Sequence, residues 1–138
     1  MRSCALFNMR IAARVLTQLY DDCLRPSGLR STQFGLLMAV RAFEPSSMAE
    51  LAGRNKMDRT TLTRNLQLLE EKGLVKVDPG EDNRVRQVRL TDRGREQLGE
   101  AISLWEKAQA RVIEGLGEER FSNLLKELSE LVSSVEKP

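Results

Sequence analysis

The stretch from Ser47 to Gly94, SMAELAGRNKMDRTTLTRNLQLLEEKGLVKVDPGEDNRVRQVRLTDRG, constrains the fold more than any other part of the chain. Ser47 and Glu50 have the spacing of a capping box, in which the serine caps a helix and the glutamate reaches back to the cap's N–H. The helix they open is short, with Leu51 and Ala52 as its buried side. Asp58 is placed to cap a second helix that runs to about Lys72, and Gly73 fits the left-handed position just past its end. Val75 and Val77 alternate with Lys76, Asp78-Pro79-Gly80 breaks the strand, and a second strand follows over Val85–Leu90. The intervening tip, Pro79–Arg84, is too long for a two-residue turn. Two helices at a tight turn followed by a β-hairpin define a winged helix-turn-helix, expected over residues 28–91.

The flanks read as helices. Ala5, Met9, Ala12, Leu16, Leu19 and Cys23 make one apolar stripe between Ser3, the expected N-cap, and Arg25; Pro26, Ser27 and Gly28 end it. A helix from Ser31 to Ala42 is expected to bury Phe34, Leu37 and Met38, with a turn at Pro45. Thr91 caps a long helix to about Gly115 with a stripe of Leu98, Ile102, Trp105, Ala108 and Val112. Beyond Gly117, Phe121, Leu124, Leu125, Leu128, Leu131, Val132 and Val135 alternate at three and four residues, as in a heptad seam. A winged helix alone could not cover these faces. They must meet one another or a second copy, and the heptad spacing favours the copy. The fold class is therefore mostly α, an α+β winged helix in a single domain over 1–138, with 1–27 and 92–138 as dimerisation helices.

Charge is unevenly distributed. Residues 54–95 carry eleven Lys/Arg against seven Asp/Glu, whereas residues 96–138 carry five against nine, so the positive excess lies on the helix-turn-helix and hairpin. On the helix after Asp58, Leu62, Leu66 and Leu69 share one side. Thr60, Thr63, Arg64 and Gln67 lie opposite, with Arg59, Thr61 and Asn65 on the flanks. Arginine matches guanine O6 and N7, glutamine and asparagine match adenine, and threonine offers a methyl or a hydroxyl, so this face suits base edges in a major groove. Glu70 and Glu71 occur only in its last turn and read as solvated. In the hairpin, Arg84 and Arg86 suit a narrow minor groove, and Asp82 would hold a neighbouring arginine in position.

Nothing points to catalysis. The chain has no histidine, its two cysteines lack metal-ligand spacing, and no glycine-rich phosphate loop follows a strand; no cofactor and no metal are expected. The longest uncharged run, Ser31–Val40, is far too short to span a membrane, and Arg10 interrupts the first apolar stretch too early for a signal peptide. A cytoplasmic, reduced protein is expected.

The run ELAGRNKMDRTTLTRNLQLLEEKGLV, the D-x-R at Asp82–Arg84, the LTDRG at Leu90–Gly94 and the GLRSTQFGLL at Gly28–Leu37 together resemble the MarR family of bacterial transcription regulators, over nearly the whole chain. The resemblance implies a homodimer whose two winged helices read a pseudo-palindromic operator in double-stranded DNA, acting as a repressor whose affinity a small ligand modulates. It also implies Arg84 as the minor-groove arginine and Thr63 and Arg64 as recognition-helix contacts. A ligand cleft is expected near Met9, Met38 and Trp105 by the same analogy.

Two alternatives stand beside this reading. One is a winged-helix module that binds protein, which would show exposed apolar residues where this chain has arginine and threonine. The other is a peroxide-sensing regulator acting through Cys4, since relatives that sense organic hydroperoxides carry a reactive cysteine near the start of their first helix. Cys4 in a first helical turn beside Arg2 would favour its thiolate. Those sensors surround the thiol with tyrosines, whereas this chain has the single Tyr20. Cys23 cannot reach Cys4 along one helix, because nineteen residues at about 1.5 Å each separate them by nearly 30 Å.

Overall fold

The computed structural model describes residues 2–79 and 85–136. The elements run α1 (Ala5–Leu24), a 3₁₀ turn (Arg25–Ser27), α2 (Ser31–Phe43), β1 (Ser46–Ser47), α3 (Met48–Asn55), α4 (Arg59–Glu71), β2 (Val75–Pro79), β3 (Arg86–Leu90), α5 (Asp92–Leu116) and α6 (Glu118–Glu136). The strands form one antiparallel sheet in the order β1-β3-β2. This is the expected winged helix-turn-helix between terminal helices.

The head of the molecule has a closed core. Leu37, Val40, Leu51, Leu62, Leu69, Leu74, Val88 and Leu98 are fully buried, joining α2, α3, α4, the sheet and the first half of α5. Capping explains the boundaries. Ser47 Oγ accepts from the Glu50 N–H at 3.1 Å, one half of the expected box, while its backbone pairs with Gln87 in the sheet. Asp58 Oδ1 accepts from the Thr61 N–H at 2.9 Å and starts α4. Past α4, Gly73 takes φ +74°, and its N–H reaches the Glu70 carbonyl at 2.9 Å. Between α3 and α4, Lys56 takes the left-handed conformation at φ 51°, its N–H directed to the carbonyls of Ala52 and Gly53.

The base of the hairpin is locked in several places. Thr91 Oγ1 donates to the Gly73 carbonyl at 2.6 Å and accepts from the Gly94 N–H at 2.9 Å, so one hydroxyl ties the end of α4 to the start of α5. A Cβ at position 94 would overlap the Leu74 carbonyl oxygen and lie 2.9 Å from its carbon, so α5 can press this closely only as glycine. Glu44 accepts from the Leu90 N–H at 2.9 Å and pairs with Arg95, joining the end of α2 to β3 and α5.

Four local expectations are corrected. Cys4, not Ser3, is the N-cap of α1: the Asn8 side chain donates to the carbonyls of Arg2 and Cys4 at 3.0 and 2.8 Å and holds those residues in a turn ahead of the helix. In α2 it is Leu36 that is buried with Phe34 and Leu37, whereas Met38 stands at the surface. The second hairpin strand starts at Arg86 rather than Val85, and Pro79, expected in the tip, closes β2. The two-residue strand β1 had no counterpart in the sequence reading.

The terminal helices differ from the head. Among the described residues α1 buries only Leu24, and α6 buries none. Leu6, Val15, Leu125 and Val135 are 66, 64, 50 and 74% exposed, and Ala5, Met9, Ala12 and Leu16 of the α1 stripe also face out. No helix among the described residues is long and apolar enough to cross a membrane.

Candidate nucleic-acid interface

The face of α4 opposite Leu62, Leu66 and Leu69 is open. Arg59, Thr60, Thr63, Arg64 and Gln67 are all exposed on it. A groove of about 770 Å³ runs between this helix, the start of α3 and the hairpin. Arg59, Thr63 and Gln67 line it from α4, Arg86 from β3, and Met48 from α3. Four of the expected contact residues therefore share one concavity, while Thr60 and Arg64 stand on the outer crest of the helix.

Two expected residues are engaged elsewhere. Thr61 is half-buried, and its hydroxyl donates to Asp58 Oδ2 at 2.8 Å, so it completes the cap of α4. Asn65 is half-buried, and its Nδ2 is directed to Met57 Sδ at 3.8 Å. It lines a second, smaller groove with Arg30, Thr32, Gln33 and Leu68, toward the start of α2. Arg84 and Asp82 lie outside the described residues.

The electrostatics are set by few groups. The Asp58 carboxyl is held below the ordinary carboxylate range, chiefly by the backbone N–H of Thr61 and next by its hydroxyl. That carboxylate occupies the place an anion takes at a helix N-terminus, so the dipole of α4 is already satisfied from within.

Glu70 has a role that the sequence reading missed. Instead of extending into solvent, its carboxylate Oε2 accepts from the backbone N–H of Val77 at 3.0 Å. β2 is an edge strand, and this N–H is one its neighbour β3 does not use. A helical wheel could have placed Glu70 beside Thr63 on the hairpin side of α4. Nothing in the sequence told which strand N–H would lie there.

Cys4 is exposed, and as N-cap its thiol accepts no hydrogen bond from the helix N–H groups. Tyr20 serves a different place, its hydroxyl donating to Gln109 of α5. Burial, and secondarily the neighbouring Cys23, push its hydroxyl above the ordinary tyrosine value. Of the three residues expected to line a ligand cleft, Trp105 is stacked on Phe34 with ring centroids 6.0 Å apart, and Met9 and Met38 stand at the surface. Among the described residues no cluster of His, Cys, Asp or Glu could hold a metal ion.

A short capped helix, a left-handed turn and a second helix with an open arginine- and threonine-bearing face beside a hairpin define the winged-helix class of transcription regulators. Comparison with known proteins narrows this. The MarR family model matches residues 27–84. Over 98% of this chain and 100% of the other, the chain is similar to the M. tuberculosis transcriptional regulator MosR, solved in complex with DNA, at 40% identity and a TM-score of 0.85. The transcriptional repressor CouR, bound to a 23-mer DNA duplex, is 25% identical with a TM-score of 0.89, covering 95% of this chain and 94% of that one. A curated relative, the uncharacterized HTH-type transcriptional regulator YwoH of Bacillus subtilis, is 34% identical over 80 residues, a match that spans 58% of this chain and 58% of that protein. The chain belongs to the MarR family of winged-helix transcription regulators.

Proposed function

We propose that two copies of this chain bind one pseudo-palindromic site in double-stranded DNA and repress transcription there, with a small ligand modulating the affinity. The observation that carries the reading is the shared groove in which Arg59, Thr63 and Gln67 of α4 face Arg86 of the wing. In this reading α4 enters the major groove, with Thr60, Thr63, Arg64 and Gln67 toward base edges and Arg59 and Arg86 toward the backbone or the adjoining minor groove. By family resemblance Arg84 is the minor-groove arginine; Asp82, an acid that would repel phosphate, holds a neighbouring arginine in position. Asn65 and Thr61 act indirectly, through the turn and the cap. MosR and CouR, both solved with DNA, support this assignment, and CouR supports repression.

Dimerisation is supported by the uncovered faces of α1 and α6. Fully burying a leucine or valine side chain is worth about 1.5–3 kcal/mol. Summed over such a face in two copies, this offsets the several kcal/mol that association costs. Residues 1–27 and 92–138 are the dimerisation region in this reading. A ligand cleft near Met9 and Met38 would be completed by the second copy.

Selection from random duplexes tests the reading. It should enrich a symmetric motif with half-sites about one helical turn apart, bound with Kd on the order of 10⁻⁸ M at moderate salt. Enrichment of no symmetric motif would sink it. Sedimentation should give a dimer at micromolar concentration, and a well-folded monomer there would remove the two-copy arrangement.

A further inference from the structure

We infer that Glu70 is a positioning residue for the wing, a brace that sets the width of the groove between α4 and the hairpin and thereby which flanking sequence the protein prefers. The inference rests on the DNA-binding reading above but concerns a residue which that reading leaves unused. At the hairpin's base, α4 is joined to the following elements through Gly73, Thr91 and Gly94. Further out, β3 pairs with β2 from Val75–Leu90 as far as Pro79–Arg86, and β1 supports β3 only at Val88 and Gln87. Among the described residues, the outer edge of β2 has no strand beside it. The hydrogen bond from the Val77 N–H to the Glu70 carboxylate closes that side. It joins the last turn of α4 to the middle of β2, whose residue 77 sits opposite Val88.

The same groove is lined by Glu70, Val77 and Arg86. An acid placed there opposes the approach of phosphate, which a pure DNA contact surface would not include. Its carboxylate is instead used as a strong acceptor for a strand N–H. Without it, the middle of β2 is held to α4 by the packing of Val77 on the core and by no hydrogen bond among the described residues. Arg86, at the far end of β3, then has a wider range of positions relative to Thr63 and Gln67.

The test separates hydrogen bond from charge. Glu70→Gln and Glu70→Ala both remove the negative charge, but only glutamine keeps an oxygen that can accept from Val77. Duplexes carrying the same bases under α4, with A·T-rich or G·C-rich sequence immediately outside them, measure the wing's preference as an affinity ratio. That ratio should fall about tenfold in Glu70→Ala and stay near the wild-type value in Glu70→Gln, whatever the common effect of lost charge on overall affinity. In parallel, the Val77 amide should exchange with solvent about tenfold faster in Glu70→Ala than in wild type or Glu70→Gln, in the absence of DNA. An unchanged ratio and unchanged Val77 protection in Glu70→Ala would overturn the brace. So would equal losses in the two variants, which would make the effect one of charge. Should the wild type bind no duplex, the regulatory reading fails, and Val77 exchange alone decides whether the brace exists.

Discussion

In α4, Leu62, Leu66 and Leu69 recur at helical spacing and are 0, 1 and 0% exposed; in α6, at the same spacing, Leu124 and Leu131 are 39 and 41% exposed and Leu128 between them is half-buried. The pattern in the sequence is alike, and the surroundings are not. The stripe of α4 meets α2, α3 and the sheet within its own chain, so the head is complete as a monomer. The stripes of α1 and α6 leave much of their width uncovered. An amphipathic helix records that a partner exists, and only the packing tells whether the partner is in the same chain. The head should therefore behave as a unit whose stability is indifferent to concentration, and the arms as one whose stability is set by it.

The largest expected effect tests the head. Leu66→Ala should cost about 2–5 kcal/mol, because it empties a filled site, and the loss in denaturant midpoint should be the same at all protein concentrations. A loss that shrank on concentrating the protein would show that the head's core depends on the second copy. The converse substitution, Leu128→Glu in α6, should weaken dimerisation about 100-fold by burying an unpaired charge, while the head keeps its helical signal in dilute solution. Sedimentation across concentration checks this, and a dimer as tight as wild type would put the interface elsewhere.

A smaller effect is expected on the open face of α4. Arg64→Ala should cost about 1–3 kcal/mol of DNA affinity and relax preference at one base per half-site, with melting unchanged. A loss equal on all sequences would reduce this arginine to a phosphate contact. The smallest effect is at the cap. The folded-state pKa of Asp58 lies below its ordinary value, so its contribution is fully present above that ordinary value and disappears as pH falls through the lowered one. Asp58→Ala should accordingly melt below wild type at neutral pH and converge with it in acid. A gap that persisted at low pH would mean that the neutral carboxyl caps as well as the ion.

Much of this was legible because local chemistry and periodicity agreed. Asp58, Gly73 and the three leucines of α4 each have one plausible place, and the structure uses all of them there. The LTDRG stretch has a physical reading too: Leu90 is core, Thr91 clasps two backbone groups, and Gly94 permits close contact with Leu74. The errors arose where the pattern was ambiguous or the cause remote. From Phe34 to Val40, α2 is apolar on nearly every side, so periodicity could not choose between Leu36 and Met38. β1 is two residues long, too short to alternate, and exists because β3 passes beside it. Thr61 and Asn65 sit on the flanks of the wheel, where a few degrees decide between DNA and the protein's own turn. Glu70 looked like a solubilising acid because the strand it serves lies seven residues away and across a turn.

Gly94 has a mechanical consequence. It seats the first turn of α5 against the backbone at Leu74, inside the head, while the 25 residues of that helix run out toward the uncovered face. At about 1.5 Å per residue the helix is a rigid lever roughly 37 Å long, and a tilt of about 5° at its fulcrum sweeps the far end by about 3 Å. In the proposed dimer, a change of that size at the contact between copies would be returned to each head as a rotation. It would alter the distance between the two reading helices, against the resistance of Leu98, Ala101 and Trp105, which pack the first half of α5 onto the head's core.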